Sequence, residues 1–381
     1  MRVLFTTRGS SGHVGPLAPF ARALIRAGHD VLVAVHRSHA ANVERLALPL
    51  ATVDDPPPER WMPLLASFAE LDVETAHELM VREYFGRIDL DAALPGVRRI
   101  AAAWRPDLVV RESWDLAGEV VAREHDLPLA RVGLGLASLE AQTVELFGAS
   151  GDTPYLTTIP ELLEDPSVEQ QPVTHRFRHG APSAAQPLPD WWPGDERPLV
   201  YATFGTVTAA AHLPYFPALY RAAIEELAAV DARVMLTVGE DRDLSELGPL
   251  PGNVRVERWV AQEAVAAHAS AMVSHGGHGT TLGALAHGLP LVVLPLFSGD
   301  QSVNARAVER TGAGVALGDG SHPVLGVPDV AGLGVAVAGV LGDGSARAAA
   351  EDIADAMRAL PPVDTAVGVL AGPLLAQTPD G

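Results

Sequence analysis

A chain of 381 residues with 48% hydrophobic and 19% charged side chains has apolar material for two ordinary domains and too little charge for a disordered one. Its formal net charge of −20 opposes nucleic acid, whose phosphates most of the surface would repel, and no apolar run reaches the ~18 residues of a membrane span. Cysteine is absent and all 27 basic residues are arginine; disulfides, thiolate nucleophiles, Cys-ligated zinc, the P-loop lysine and Schiff-base lysines are thereby removed together.

The N-terminal apolar block is too short for a signal peptide, so "VLFTT" (3–7) reads as a first strand and a cytoplasmic protein is expected. "PLAPFARALIRAGH" (16–29) has apolar residues at helical spacing and closes on Gly28, and "DVLVAVH" (30–36) is again strand-like. Residues 59–104 read as helices carrying Trp61, Phe68, Tyr84 and Phe85. A second strand–helix–strand unit follows: "DLVVRE" (107–112), a helix near 117–125, and "LPLARVGL" (127–134).

Residues 180–198, "GAPSAAQPLPDWWPGDERP", break every periodicity and read as a linker. The alternation then resumes with "LVYATFG" (199–205), a helix within 217–230 and "RVMLTVG" (233–239). "VRVERWV", "AMVSH", "LPLVVLP" and "AGVAL" follow as short strands. Strands alternating with helices imply parallel sheets covered on both faces, here twice. The expected fold is therefore α/β, with two doubly wound, Rossmann-like domains facing across a cleft. Their expected limits are 1–180 and 199–361, joined by a linker at 181–198, with 362–381 docking back on the first domain.

Two glycine-rich turns carry the candidate chemistry. "TTRGSSGHVGP" (6–16) joins the first strand to the first helix and sets Gly9, Gly12 and Gly15 around His13. Glycines permit close approach of a ligand to the backbone, and a helix N-terminus offers unpaired N–H groups to an anion. A histidine on such a turn is either a base that meets substrate or a capping residue. As a base it needs an orienting acid, for which Glu112, at the end of a strand, and Asp115, just beyond it, are the candidates.

The second turn, "VSHGGHGTT" (273–281), places His275 and His278 three apart among glycines. The i, i+4 spacing of a helical zinc motif is absent and no carboxylate lies inside the segment, which disfavours a metal. A strand, a glycine turn and Thr280–Thr281 opening a helix instead form a diphosphate cradle that needs neither lysine nor metal. Nearby, Trp259 has an indole face suited to a nucleobase. Asp300 and Gln301 pair an acceptor with a group that both donates and accepts, which suits sugar hydroxyls.

Read in order, "RWVAQ … HGGHGTTLGALAHGLPLVVLPLFSGDQSVNA", with the N-terminal "GHVGP" and "RPDLVV", resembles the nucleotide-sugar-dependent glycosyltransferases of the GT-B fold, above all the bacterial enzymes that decorate antibiotics. The resemblance spans nearly the whole chain. It implies that Trp259 stacks on the donor base, with Val260 and Gln262 beside it. His275, Gly277, Gly279 and Thr280 would hold the diphosphate and Asp300 and Gln301 the sugar; Thr206 would face the diphosphate from the other side, and Gly12 would join the donor-binding residues. His13 would be the general base of an inverting, metal-free displacement, with Glu112 as its orienting acid. The aromatics Trp61, Phe68, Tyr84, Phe85 and Phe147 lie where relatives build acceptor pockets.

Plant relatives carry Asp where this chain has Glu112, and Trp-Asn where it has His278–Gly279, so donor preference does not transfer from them. The implied co-substrate is a TDP-sugar or UDP-sugar and no cofactor; the other partner is a small apolar aglycone, with at most a second copy of the chain in a homodimer. Competing readings are a sugar-nucleotide epimerase of the same fold, a nicotinamide-dependent oxidoreductase, and a non-catalytic member that binds a sugar nucleotide or helps a partner. Against the oxidoreductase, the second strand ends in His36 and Arg37 rather than an acid.

Overall fold

The computed structural model describes residues 1–147, 153–178, 188–205, 215–240, 242–318, 324 and 326–375. Two separate sheets, both wholly parallel, organise them. The first is built from β1 (Arg2–Thr7), β2 (Asp30–His36), β3 (Leu50–Val53), β4 (Leu108–Glu112), β5 (Leu129–Val132), β6 (Tyr155–Thr157) and β7 (Thr174–Arg176), in the order β3-β2-β1-β4-β5-β6-β7. The second contains β8 (Leu199–Thr203), β9 (Arg233–Thr237), β10 (Val254–Glu257), β11 (Ala271–Ser274), β12 (Leu291–Val293) and β13 (Gly314–Ala316), ordered β10-β9-β8-β11-β12-β13. Strands β3, β6 and β7 were not legible as strands. Each has only three or four residues and lies at or next to a sheet edge, too short to show a period.

Helices cover both faces. The first half has α1 (Ser11–Arg26), α2 (Ala40–Arg45), α3 (Pro58–Ser67), α4 (Val73–Leu79), α5 (Leu90–Trp104), α6 (Ala117–Glu124) and α7 (Ala137–Phe147). The second has α8 (Phe216–Ala228), α9 (Gln262–Ala266), α10 (His278–Ala286), α11 (Gly299–Arg310), α12 (Leu333–Gly342), α13 (Gly344–Ala359) and α14 (Ala366–Leu375). Between α4 and α5 the chain stays helical but widens to a π-helix over Met80–Asp89.

Helix α1 shows how local sequence becomes packing. Val14, Leu17, Phe20, Ala21 and Leu24 recur at helical spacing and are buried against Val3, Phe5, Val31, Val33 and Val35 of β1 and β2. Each large side chain so buried contributes about 1.5–3 kcal/mol. The helix ends at Arg26, and Gly28 takes the left-handed conformation, φ 83°, that turns the chain into β2.

The strand orders place the site. In the first sheet the order reverses between β1 and β4, which pair with Thr6 opposite Arg111. In the second it reverses between β8 and β11, with Thr203 opposite Ser274. At such a switch point the loops leaving the two strands diverge and open a crevice. His13 and Glu112 therefore meet at one crevice, Gly205 and His275 at the other.

The Pro-rich stretch is only partly described. Trp191 and Trp192 within it pack on the core of the second sheet, so this part is docked rather than free. At the other end, α14 returns to the first half: Ala366 and Leu370 join the core beneath α1, and Arg26 pairs with Asp364. The described segments of the two halves also share apolar packing, because Ile159 and Leu163 sit in one cluster with Met272 and Ile353.

Candidate active site

Helix α1 begins at Ser11, not at Pro16. Ser10 is extended, φ −62°, ψ 159°, as an N-cap should be, and the glycines at 12 and 15 hide the first turns from any apolar pattern. His13 therefore stands in the first turn of the helix rather than in a loop. Of the three glycines around it only Gly9 is forced: its φ is 92°, and a Cβ there would lie 2.2 Å from Val35 Cγ2. Gly12 and Gly15 have open space where a side chain would be, which is unlike the tight packing of a dinucleotide fingerprint.

His13 Nδ1 lies 2.7 Å from Glu112 Oε1. The carboxylate is fully buried, and its second oxygen accepts the backbone N–H of Trp114. A carboxylate partner requires Nδ1 to carry a proton, which fixes the tautomer of the neutral ring as the one with its lone pair on Nε2. Asp115, the other candidate, is occupied elsewhere: it accepts the Gly118 N–H at 2.9 Å and caps α6. Burial, with the Glu112 charge adding to it, pushes Asp115 up to about 6.

In the second half His275 follows β11 and is 8% exposed. Its ring is clamped between two glycines. A Cβ at Gly205 or at Gly277 would lie 2.4 Å from an imidazole atom. Gly276 has φ 85°, and a Cβ there would sit 2.7 Å from the Gln301 carbonyl. Burial pulls His275 down to about 4 against the opposing charge of Asp300, so the imidazole is neutral, and its Nδ1 has no hydrogen-bond partner among the described residues.

Helix α10 opens at His278, two positions before the expected Thr280, with Gly277 as a cap that has no side chain to give. In its first turn the N–H groups of Gly279 and Thr280 therefore lack an intrahelical acceptor. Nothing lies within 4 Å of a Cβ built at Gly279, which leaves the mouth of the helix open. Two other side chains fix the turn. Asn304 Nδ2 donates to the Gly276 carbonyl at 2.7 Å, and Gln262 Nε2 donates to the Thr280 carbonyl at 3.0 Å.

Gln301 differs from its expected use. Its Oε1 accepts the backbone N–H groups of Leu296 at 2.7 Å and Phe297 at 3.1 Å, so only its amide nitrogen is left to meet a ligand. Asp300 stands in the first turn of α11, bonded to the Ser298 hydroxyl. Trp259 is 56% exposed, its indole stacked on no other aromatic ring among the described residues, and Val260 packs partly against the second core. Thr206 lies outside the described residues, as does the side chain of Phe147 at the end of α7.

These pieces converge on one cleft of about 400 Å³ between the halves. Gly12, His13 and Phe85 line it from the first half; Gln262, His275, Gly277, Gly279, Thr280, Asp300 and Gln301 line it from the second. The first turns of α1 and α10 thus share one space, and helix N-termini carry partial positive charge. Glu112 stands behind His13, while Trp259 and Val260 lie outside the lining. Among the described residues no group of three or more His, Asp or Glu side chains converges as a metal site.

The aromatics expected to line an acceptor pocket separate. Phe85 meets His13 edge-on at 6.0 Å, Tyr84 meets Phe85 at 5.7 Å, and Trp61 meets Tyr84 at 6.4 Å, a chain running outward from the cleft. Phe68 is no part of it: it is buried with Val73, Ala76 and Val324. Trp114, Leu134, Leu139, Met80 and His77 line the cleft instead, and no local pattern marked them. Beneath the aromatics Asp89 is buried in ion pairs with Arg8 at 3.1 Å and His36 at 3.0 Å. Burial opposes a charge on His36, but the Asp89 carboxylate outweighs it and raises the pKa. The Arg8 guanidinium lies over Phe85 at 3.9 Å, so this network fixes the π-helix to the ends of β1 and β2.

The family models for the erythromycin biosynthesis protein CIII-like N-terminal and C-terminal domains match residues 22–154 and 221–371. The elloramycin glycosyltransferase ElmGT of Streptomyces olivaceus is 33% identical over 397 aligned positions, with 96% of each chain covered. The chain belongs to the erythromycin biosynthesis protein CIII-like family of bacterial natural-product glycosyltransferases. The TDP-daunosamine transferase DnrS of Streptomyces peucetius is 27% identical to this glycosyltransferase, covering 83% of it and 85% of DnrS. The crystal structure of the glycosyltransferase SnogD from Streptomyces nogalater superposes with a TM-score of 0.72 at 29% identity, covering 99% of both chains. The fold is GT-B, and the protein is an enzyme of the glycosyltransferase class. The epimerase, oxidoreductase and non-catalytic readings fall with that. No helix among the described residues is long and apolar enough to cross a membrane.

Proposed function

We propose that this glycosyltransferase moves a hexose or deoxyhexose from a TDP-sugar to a hydroxyl of an apolar natural-product aglycone, inverting the anomeric centre without a metal. The observation that carries the mechanism is the His13–Glu112 pair at the mouth of the cleft, at 2.7 Å. Glu112 holds the ring in the tautomer with its proton on Nδ1. His13 Nε2 then accepts the proton of the acceptor hydroxyl, and the oxygen attacks the anomeric carbon. The bond from that carbon to the β-phosphate oxygen breaks, and TDP leaves with the electron pair.

The departing charge is met by the N-terminus of α10 and by the His275 imidazole, aided across the cleft by the first turn of α1. These groups are the argument for a metal-free site. Trp259 offers its exposed indole face to the base, and Asp300 with the Gln301 amide grips the sugar. In the same reading residues 1–180 form the acceptor domain and 199–361 the donor domain. TDP is preferred to UDP because the relative DnrS is named for a TDP-sugar. The aromatic and aliphatic lining of Phe85, Trp114, Leu134 and Leu139 supports an apolar aglycone.

Mass-spectrometric screening of TDP-sugars against apolar polyketide aglycones tests the reading. Wild type should yield a glycoside in the presence of EDTA, His13→Ala should lower kcat by about 10²–10⁴-fold as loss of a general base does, and Glu112→Gln should lower kcat with donor affinity unchanged. A His13→Ala enzyme at wild-type rate would remove His13 as the base.

A further inference from the structure

We propose that His77, on the acceptor side of the cleft, is a second wall of the donor-sugar pocket and hydrogen-bonds a sugar hydroxyl across from Asp300 and Gln301. The inference rests on the functional reading above and extends it to a residue of the first half that no glycine turn or donor motif contains.

His77 lies on α4 and lines the cleft. Its ring meets Trp114 edge-on, 5.9 Å between centroids and 84° between planes. On its other side it reaches the start of α11 in the second half: a Cβ at Gly299 would stand 2.8 Å from His77 Cγ. Only a residue without a side chain lets the two halves come this close at the point where Asp300 enters the cleft.

The chemistry of the ring fits a hydroxyl. Burial lowers the His77 pKa, opposed by Asp300 and by a hydrogen bond with the Gln142 side chain, so the imidazole is neutral; with Gln142 engaging one ring nitrogen, the other is left for a ligand. Its Nε2 is inaccessible to water and has no hydrogen-bond partner among the described residues. Buried nitrogens in native proteins are nearly always paired, and a neutral imidazole gains little from the Asp300 charge itself. A hydroxyl between them satisfies both: it donates to one and accepts from the other. A hexose presented to Asp300 and the Gln301 amide from the second half would put its opposite edge toward His77. Selection would then depend on which carbons of the sugar keep a hydroxyl, and a donor deoxygenated at that edge would gain nothing from His77.

Calorimetric titration of wild type and of the His77→Ala, His77→Phe and His77→Gln enzymes with TDP, TDP-glucose and TDP-rhamnose tests this. Phe keeps the ring packing against Trp114 and Gly299 without a polar atom, and Gln restores a nitrogen near the place of Nε2. All four enzymes should bind TDP with Kd values within about twofold. At least one TDP-sugar should bind Ala and Phe variants about tenfold more weakly than wild type, with Gln recovering part of the loss. The proposal is overturned if the Phe variant binds both TDP-sugars as wild type does, or if each variant loses TDP and TDP-sugar affinity equally. If wild type binds neither TDP nor either TDP-sugar, the donor assignment itself fails.

Discussion

Glu112 and Asp115 are neighbours in sequence and both buried, yet what each carboxylate accepts gives them different work. Glu112 divides its oxygens between His13 and the Trp114 N–H; Asp115 spends one on the α6 cap and is raised to about 6 by burial and by Glu112. Between about pH 4 and 6 the native state holds a proton on Asp115 that the unfolded chain has released, so the stability Asp115 contributes falls as pH rises through that window. Asp115→Asn keeps the cap acceptor and removes the charge. It should stabilise the enzyme by about 1–2 kcal/mol at pH 7 and by little at pH 4, since a pKa unit corresponds to ~1.4 kcal/mol. Thermal denaturation at the two pH values checks this, and an equal shift at both would contradict it. His275 has the opposite sign: lowered to about 4, it contributes stability above about pH 6.5 that is lost as pH falls.

At the scale of elements, the glycine turn between β11 and α10 does two jobs. Gly276 supplies a left-handed φ, and Gly277 supplies the room in which the His275 ring lies. Gly277→Ala should therefore displace the imidazole while leaving the helix intact, weakening TDP binding about tenfold with less than ~1 kcal/mol lost from folding. A variant that binds TDP like wild type would show that the ring position does not matter. This turn was legible from sequence because its chemistry is local: strand, glycines, hydroxyls and imidazole follow one another. Helix α1 was legible except for its start, since Gly12 and Gly15 interrupt the apolar period ahead of Pro16. The edge strands, the use of Gln301 Oε1 by the backbone, and the arrival of His77 and Trp114 in the cleft were not legible. Each depends on a tertiary path, and Phe68 was misplaced for the same reason, its aromatic character saying nothing of which core receives it.

The whole molecule is two halves whose switch points face each other, and the C-terminus ties them. Residues 361–375 leave the second half, hand the Arg178 N–H an acceptor at Pro361 and bury Ala366 and Leu370 under α1. Because α1 carries His13, this strap supports the proposed base from behind. Truncation after Leu360 should lower the midpoint of thermal unfolding by several degrees and lower transfer more than TDP binding, as most groups proposed to hold the donor sit on the other half. Equal losses of both would instead mean that the strap supports the fold as a whole.

The central claim is that the cleft holds a nucleoside diphosphate through helix N-termini and a neutral imidazole, with no lysine and no metal. Its most direct test is calorimetric titration of wild type and His275→Ala enzymes with TDP in EDTA, with UDP and NADH alongside. Saturable TDP binding in chelator, tighter than UDP, absent for NADH and weakened about tenfold by the substitution, is the predicted result. TDP binding that appears only when a divalent cation is added, or that is indifferent to His275, would contradict it.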